Sequence, residues 1–181
     1  MNSMSCMVFA VALGATIPAV AAPQPPPSAT TASSAVPAVS VTFEHPEKYR
    51  DVGRLRADAN ATLKEIATYL QKMGAMYLPP DQKLSVQIVD IDLAGEEGGS
   101  RSAGSETRIV NGRSDWPSIQ LRYVLYADAK ELARGEETIS DMKFLLYPIP
   151  PAATQEPLPY EKRMLKDWFR ARFLPKGTTS R

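Results

Sequence analysis

Apolar and polar positions along this chain fall into a small number of distinct periodic stretches. The run 39-VSVTF-43 alternates and predicts a short strand, followed by a polar turn at 44-EHPEKYRD-51. From Arg54 to Met73, the apolar residues Leu55, Ala59, Leu63, Ile66, Leu70 and Met73 recur at spacings of three and four. That spacing describes one face of a helix about 30 Å long. Gly74 is expected to cap it, with 78-LPPDQ-82 as the turn beyond. Leu84 to Leu93 predicts a second strand. The glycine-rich, polar stretch 94-AGEEGGSRSAGSE-106 is expected to be a mobile loop, with a short strand from Thr107 to Val110 before the turn 111-NGRSDWP-117. Alternation of Ile119, Leu121, Tyr123 and Leu125, a turn at Asp128-Ala129-Lys130 and a return from Leu132 to Ile139 predict a β-hairpin. The apolar run 144-FLLYPIP-150 leads into a proline-rich loop, and 160-YEKRMLKDWFRARF-173 reads as an amphipathic helix.

This order of elements predicts an α+β fold, a mainly antiparallel sheet of four to five strands with two helices packed on one face. The expected organisation is a signal peptide over 1–22, a Pro/Ala/Ser-rich tether over 23–40, one α+β domain over 41–174 and a polar tail over 175–181.

The N-terminal assignment rests on composition. Residues 1–22 carry no charged side chain, run apolar from Met4 and end on Ala19-Val20-Ala21-Ala22, small residues of the kind a signal peptidase accepts. An uncleaved anchor is the rival reading, but the stretch is short for a membrane span, contains Pro18 and lacks a basic flank. The expected location is the periplasm or the exterior. Cys6, the single cysteine, lies within the signal, so the mature chain would offer no disulfide, thiolate nucleophile or cysteine-bound metal. Lys plus Arg total 21 against 20 Asp plus Glu, a net charge of +1 that calls for no nucleic-acid partner.

Chemistry concentrates at 87-QIVDIDLAGEEGG-99. On a regular strand Leu84, Val86, Ile88, Asp90 and Asp92 share one face and Gln87, Val89, Ile91 and Leu93 the other, so the apolar residues change sides near Ile88-Val89. Either the strand is covered on both faces there, or a bulge re-aims it. The two aspartates carry like charge about 7 Å apart. A hard cation or a basic neighbour, Arg122 or Arg108, would relieve the repulsion. Structural pairing is the favoured reading, since a lone D-x-D lacks further ligands.

Other sites find less support. His45 is the only histidine and has no serine partner in a recognisable elbow, which argues against nucleophilic hydrolysis and against zinc. No cofactor is expected. In the last helix Met164, Leu165, Trp168, Phe169 and Phe173 form an apolar arc opposite Arg163, Lys166 and Arg170. Glu161 falls inside that arc and needs a partner if buried, with Arg122 as the first expectation.

The segments 89-VDIDLAGE-96, 120-QLRYVL-125, 136-EETISDMKFL-145 and 160-YEKRMLKDWF-169, with the opening 41-VTFEHPEKYRDV-52, resemble a family of small exported proteobacterial proteins known as a domain of unknown function. The resemblance spans roughly Val41 to Phe173. It implies an exported protein and carries no activity or catalytic residue. It directs attention to Asp90, Asp92, Arg122, Asp141, Glu161, Lys162 and Trp168. The long tether and the proline-rich stretch 148–159 depart from the family pattern.

Three functions are weighed. The first is a non-enzymatic binding or structural domain with an envelope component as its partner. The second is a carboxylate- or metal-assisted hydrolase of an envelope polymer using Asp90 and Asp92. The third is weak peripheral contact with an anionic membrane through the basic last helix. The chain does not specify an oligomeric state.

Overall fold

Strand alternation builds one apolar sheet face, and two helices cover it. The computed structural model describes residues 37–102, 105–112 and 114–174. The expected signal with Cys6, most of the expected tether and the tail 175–181 lie outside the described residues. The elements run β1 (Val39–Phe43), α1 (Arg56–Tyr77), β2 (Gln82–Asp92), β3 (Glu96–Ser102), β4 (Ser105–Ile109), β5 (Ser118–Ala127), β6 (Lys130–Ser140) and α2 (Pro159–Phe173). Val39 and Ser40, at the end of the stretch read as a tether, already belong to β1. The described residues within Ala35–Arg181 form one compact unit with its own apolar core.

The main sheet has the order β1-β2-β5-β6. β1 lies parallel to β2 with α1 as the crossover between them, and β2, β5 and β6 are mutually antiparallel. The fold is therefore α+β with a mainly antiparallel four-stranded sheet. Leu84, Val86, Ile88 and Ile91 of β2 and Ile119, Leu121, Tyr123 and Leu125 of β5 are buried against Ile66, Leu70 and Met73 of α1 and Met164, Leu165, Trp168 and Phe169 of α2. Aromatic rings weld α2 to β5: Tyr123 meets Trp168 edge-on at 5.9 Å and Phe173 at 5.5 Å between centroids. The aromatic arc of the last helix is thus core.

Two expectations are corrected. Gly74 does not cap α1, which continues to Tyr77. A Cβ on Gly74 would lie 2.1 Å from Val39 Cγ2, so the glycine lets the helix approach β1 and its role is packing. The glycine-rich stretch after β2 is not a loop throughout, because Glu96–Ser102 and Ser105–Ile109 pair as an antiparallel ribbon. The sequence of this stretch carries no apolar alternation that would announce the pairing.

Candidate functional site

The change of apolar side in β2 is a β-bulge. Ile88 pairs with Leu121 but Asp90 pairs with Gln120, leaving Val89 as the extra residue. Past the bulge, Ile91 and Leu93 return to the core, while Asp90 and Asp92 turn outward opposite Gln120 and Ser118. Beside the bulge the Ile88 carbonyl faces the turn that follows β1. It accepts the Glu44 N–H at 2.9 Å and the Tyr49 hydroxyl at 2.7 Å. Burial pushes the Tyr49 hydroxyl up to about 12.

The cation for both aspartates is Arg50, neither Arg108 nor Arg122. Arg50 Nε donates to Asp90 Oδ2 at 2.5 Å, its Nη1 lies 3.1 Å from Asp92 Oδ2, and its Nη2 donates to Ser118 Oγ at 3.1 Å. The Arg50 backbone N–H also donates to Asp90 Oδ1 at 2.9 Å. Arg50 reaches this position because the chain leaves β1 after Phe43, makes a short 3₁₀ turn at Pro46–Lys48 and returns to the edge of β2. There Asp51 bridges Asp92 in parallel register, its N–H donating to the Ile91 carbonyl at 3.0 Å. Asp92 is raised above the ordinary aspartate value by burial, partly offset by Arg50 and reinforced by Asp51 and Asp90.

Arg108 serves the next link. Its guanidinium pairs with Asp51 and donates to the Ala94 carbonyl at 2.8 Å, from Nε, and to the Gly95 carbonyl at 2.5 Å. Gly95 has φ +76°, and a Cβ there would lie 2.7 Å from the Ile109 carbonyl oxygen. The tight turn out of β2 therefore requires glycine. On its inner side the Ala94 N–H donates to Glu161 Oε1 at 2.7 Å.

Glu161 is 3 % exposed at the first turn of α2. Its partner is thus a backbone amide, and Arg122 lies across the sheet on the solvent-facing side. Burial is the largest influence on Glu161 and raises it above the ordinary value of 4.5, against the lowering effects of the Ala94 and helix amides. The folded form then holds its proton more tightly than the unfolded form. Its stabilising contribution is complete below 4.5 and is lost as pH rises through the higher folded value. Glu161→Gln keeps an acceptor for Ala94 and removes that loss. Urea denaturation from pH 4.5 upward should show the variant declining less steeply than the parent, and identical slopes would contradict this.

The remaining singled-out residues sit apart. Arg122 lies on the open face and pairs with Glu44 at 2.6 Å and Glu136 at 3.0 Å. Asp141 accepts from Arg163 at 2.9 Å. Lys162 is 2.7 Å from Glu65 and 3.1 Å from Glu156, tying α2 to α1 and to the proline-rich loop. Trp168 Nε1 donates to Glu137 at 3.2 Å, and Glu137 also pairs with Arg172 at 2.8 Å. Sequence reasoning missed Arg50, Asp51 and Glu44, and it placed Arg163 on the basic face of the last helix without its pairing to Asp141. The first three lie in 44-EHPEKYRD-51, where the only signal was an unusually high density of charge in a turn.

Among the described residues, no group of three or more His, Cys, Asp or Glu side chains is placed to hold a metal ion. A groove of about 980 Å³ opens beside Arg50 and Asp51, between that turn and the start of α1, and neither Asp90 nor Asp92 lines it.

Fold and contacts together define an α+β domain in which the singled-out polar residues join one element to another. A family model described as "Protein of unknown function (DUF3016)" matches residues 37–171, and the chain belongs to that family. No curated protein and no solved structure matches it.

Proposed function

We propose that this chain is a non-enzymatic binding or structural domain of the cell envelope, exported by its N-terminal segment. The observation that carries the reading is the engagement of the carboxylates. Asp90 and Asp92 are held by one arginine, Asp51 by another, and Glu161 by a backbone amide. These groups stand along a path from the turn before α1 to the first turn of α2, facing different elements, and do not converge on one open cavity. An acid/base pair or a cation site needs its oxygens free toward a ligand. Among the described residues no helix is long and apolar enough to cross a membrane.

The hydrolase reading draws on one observation, the weakened acidity of Asp92. Thermal unfolding of residues 35–181 with and without Ca²⁺, Mg²⁺, Mn²⁺ and Zn²⁺ separates the two. The binding-domain reading expects no saturable rise in Tm with any cation. It also expects Asp92→Asn to lower stability by no more than about 1 kcal/mol, since this carboxylate is partly exposed. A saturable rise that Asp92→Asn removes would overturn it in favour of a cation-assisted site.

A further inference from the structure

The main sheet ends on a long strand that has a neighbour on one side only. β6 is last in the order β1-β2-β5-β6, and β3 and β4 form a separate ribbon, so among the described residues its outer edge has no strand partner. The opposite edge strand, β1, is five residues long. β6 runs over eleven residues, Lys130–Ser140, and contains no proline. Its one irregularity lies near the hairpin, where Leu132 is the extra residue, and from Ala133 to Ser140 the pairing with β5 is regular. A regular, unpaired edge of this kind is a template for another strand.

The side chains along this edge determine which strand fits. Register with β5 puts Arg134, Glu136 and Thr138 on the open face, opposite Val124, Arg122 and Gln120. Ala133, Gly135, Glu137 and Ile139 fall on the helix-covered face. Arg134 and Glu136 therefore stand on one face with opposite charge, one on each side of Gly135. Two copies of one strand that pair antiparallel about a two-fold axis make each contact twice, once in each direction. An axis at Gly135 sets Arg134 opposite the partner's Glu136 and Glu136 opposite the partner's Arg134. An axis at Arg134 or at Glu136 instead sets two arginines or two glutamates face to face, which is destabilising. Charge thus selects one register over its neighbours.

Both groups can engage a partner at small cost. The Arg134 side chain is 71 % exposed, and its pair with Glu131 lies within the same strand in water. Glu136 accepts from Arg122 at 3.0 Å and from Gln120 at 3.1 Å, one bond to each oxygen, and each oxygen keeps a lone pair for a further donor. On the helix-covered face the strand carries Gly135 at the axis, with the Tyr123 ring lying over it and no side chain of its own to obstruct a second copy. Glu137, an inward charge of the kind that guards a free edge, is already held by Trp168 and Arg172.

We propose that this chain forms a homodimer by antiparallel pairing of β6 with β6 of a second copy, about a two-fold axis at Gly135. The pairing joins two four-stranded sheets into one continuous sheet with the helices of both copies on the same face, and it matches Arg134 with Glu136 twice across the seam. Self-association goes beyond the binding-domain reading above and does not depend on it.

The test is sedimentation velocity of residues 35–181 from micromolar to millimolar protein. The parent is expected to pass from monomer to dimer as concentration rises, and the dimer to weaken as salt is raised. Arg134→Glu should weaken dimerisation roughly tenfold or more, because two attractive cross-strand pairs become two repulsive ones. Glu136→Arg should do the same. Mixed in equal amounts, the two variants should regain a dimer, since each supplies the charge that the other lacks. Both side chains are exposed, so each variant should fold, and Tm measured at low concentration checks this. Arg134→Glu alone decides the matter if Glu136→Arg does not fold. A parent that stays monomeric at every concentration overturns the proposal, as does a dimer that Arg134→Glu leaves intact. Folded variants that fail to associate on mixing would equally overturn it, by placing the seam elsewhere. These substitutions leave Asp90 and Asp92 in place, so failure here does not alter the cation result that tests the binding-domain reading.

Discussion

Arg108→Met should lower the stability of the domain by about 2–4 kcal/mol, the range for breaking a largely desolvated, multiply bonded charge. The Arg108 side chain is only 20 % exposed, and its guanidinium pairs with Asp51 and satisfies carbonyls at Ala94 and Gly95. Methionine keeps most of the stem's packing but leaves those acceptors and a carboxylate without their donor. The same turn presents the Ala94 N–H to Glu161, so the loss should spread to the first turn of α2. Arg122→Met is the control. That arginine lies on the open face with one exposed partner, Glu136, and one half-buried partner, Glu44, and its replacement should leave the urea midpoint nearly unchanged. Equal midpoints for the two variants would show that the Arg108 contacts contribute little.

Gly74→Ala has an effect whose sign separates two readings. In a helix interior, alanine in place of glycine gains about 1 kcal/mol from propensity. Here the new Cβ would lie 2.1 Å from Cγ2 of Val39, a fully buried residue of β1, so either α1 or β1 must move. Overpacking of this kind costs about 1–3 kcal/mol, and a net loss of stability is the expected result. Val39→Ala alone should also destabilise, by opening a cavity. Combined, the two substitutions should cost less than their sum, because the smaller side chain makes room for the added methyl. A gain in Tm for Gly74→Ala alone would show that the contact between α1 and β1 is loose.

Where side-chain periodicity governs, the sequence was legible. Ile66, Leu70 and Met73 identify the buried face of α1, the alternation of Ile119 to Leu125 identifies β5, and the switch of sides in β2 marks the bulge. The ribbon of β3 and β4 was not legible, since its glycines and serines carry no alternation and it is closed by Gly95 and Arg108 at its base. Gly74 looked like a cap because a glycine near the end of a periodic run usually is one. Only the position of Val39, thirty-five residues earlier, shows otherwise.

Partner assignment failed for a related reason. Asp90 and Asp92 were expected to find a cation on a neighbouring strand. The pairing of β1 with β2 instead carries the turn after β1 to their side, and with it Arg50. That parallel pairing is long-range and leaves no local signature in either segment. Glu161 was correctly expected to need a partner if buried. A backbone amide, which no residue type announces, fills that role.

The central claim is that Asp90 and Asp92 are a structural clamp closed by Arg50 at the bulged end of β2. A double-mutant cycle on residues 35–181 tests it most directly, with Arg50→Ala, Asp90→Asn and the combination compared by urea denaturation. The clamp predicts a coupling of about 1 kcal/mol, modest because Arg50 is 56 % exposed, with the double variant scarcely less stable than the worse single one. Strictly additive losses, or a gain in stability on removing Asp90, would contradict it and return the two carboxylates to the search for a ligand.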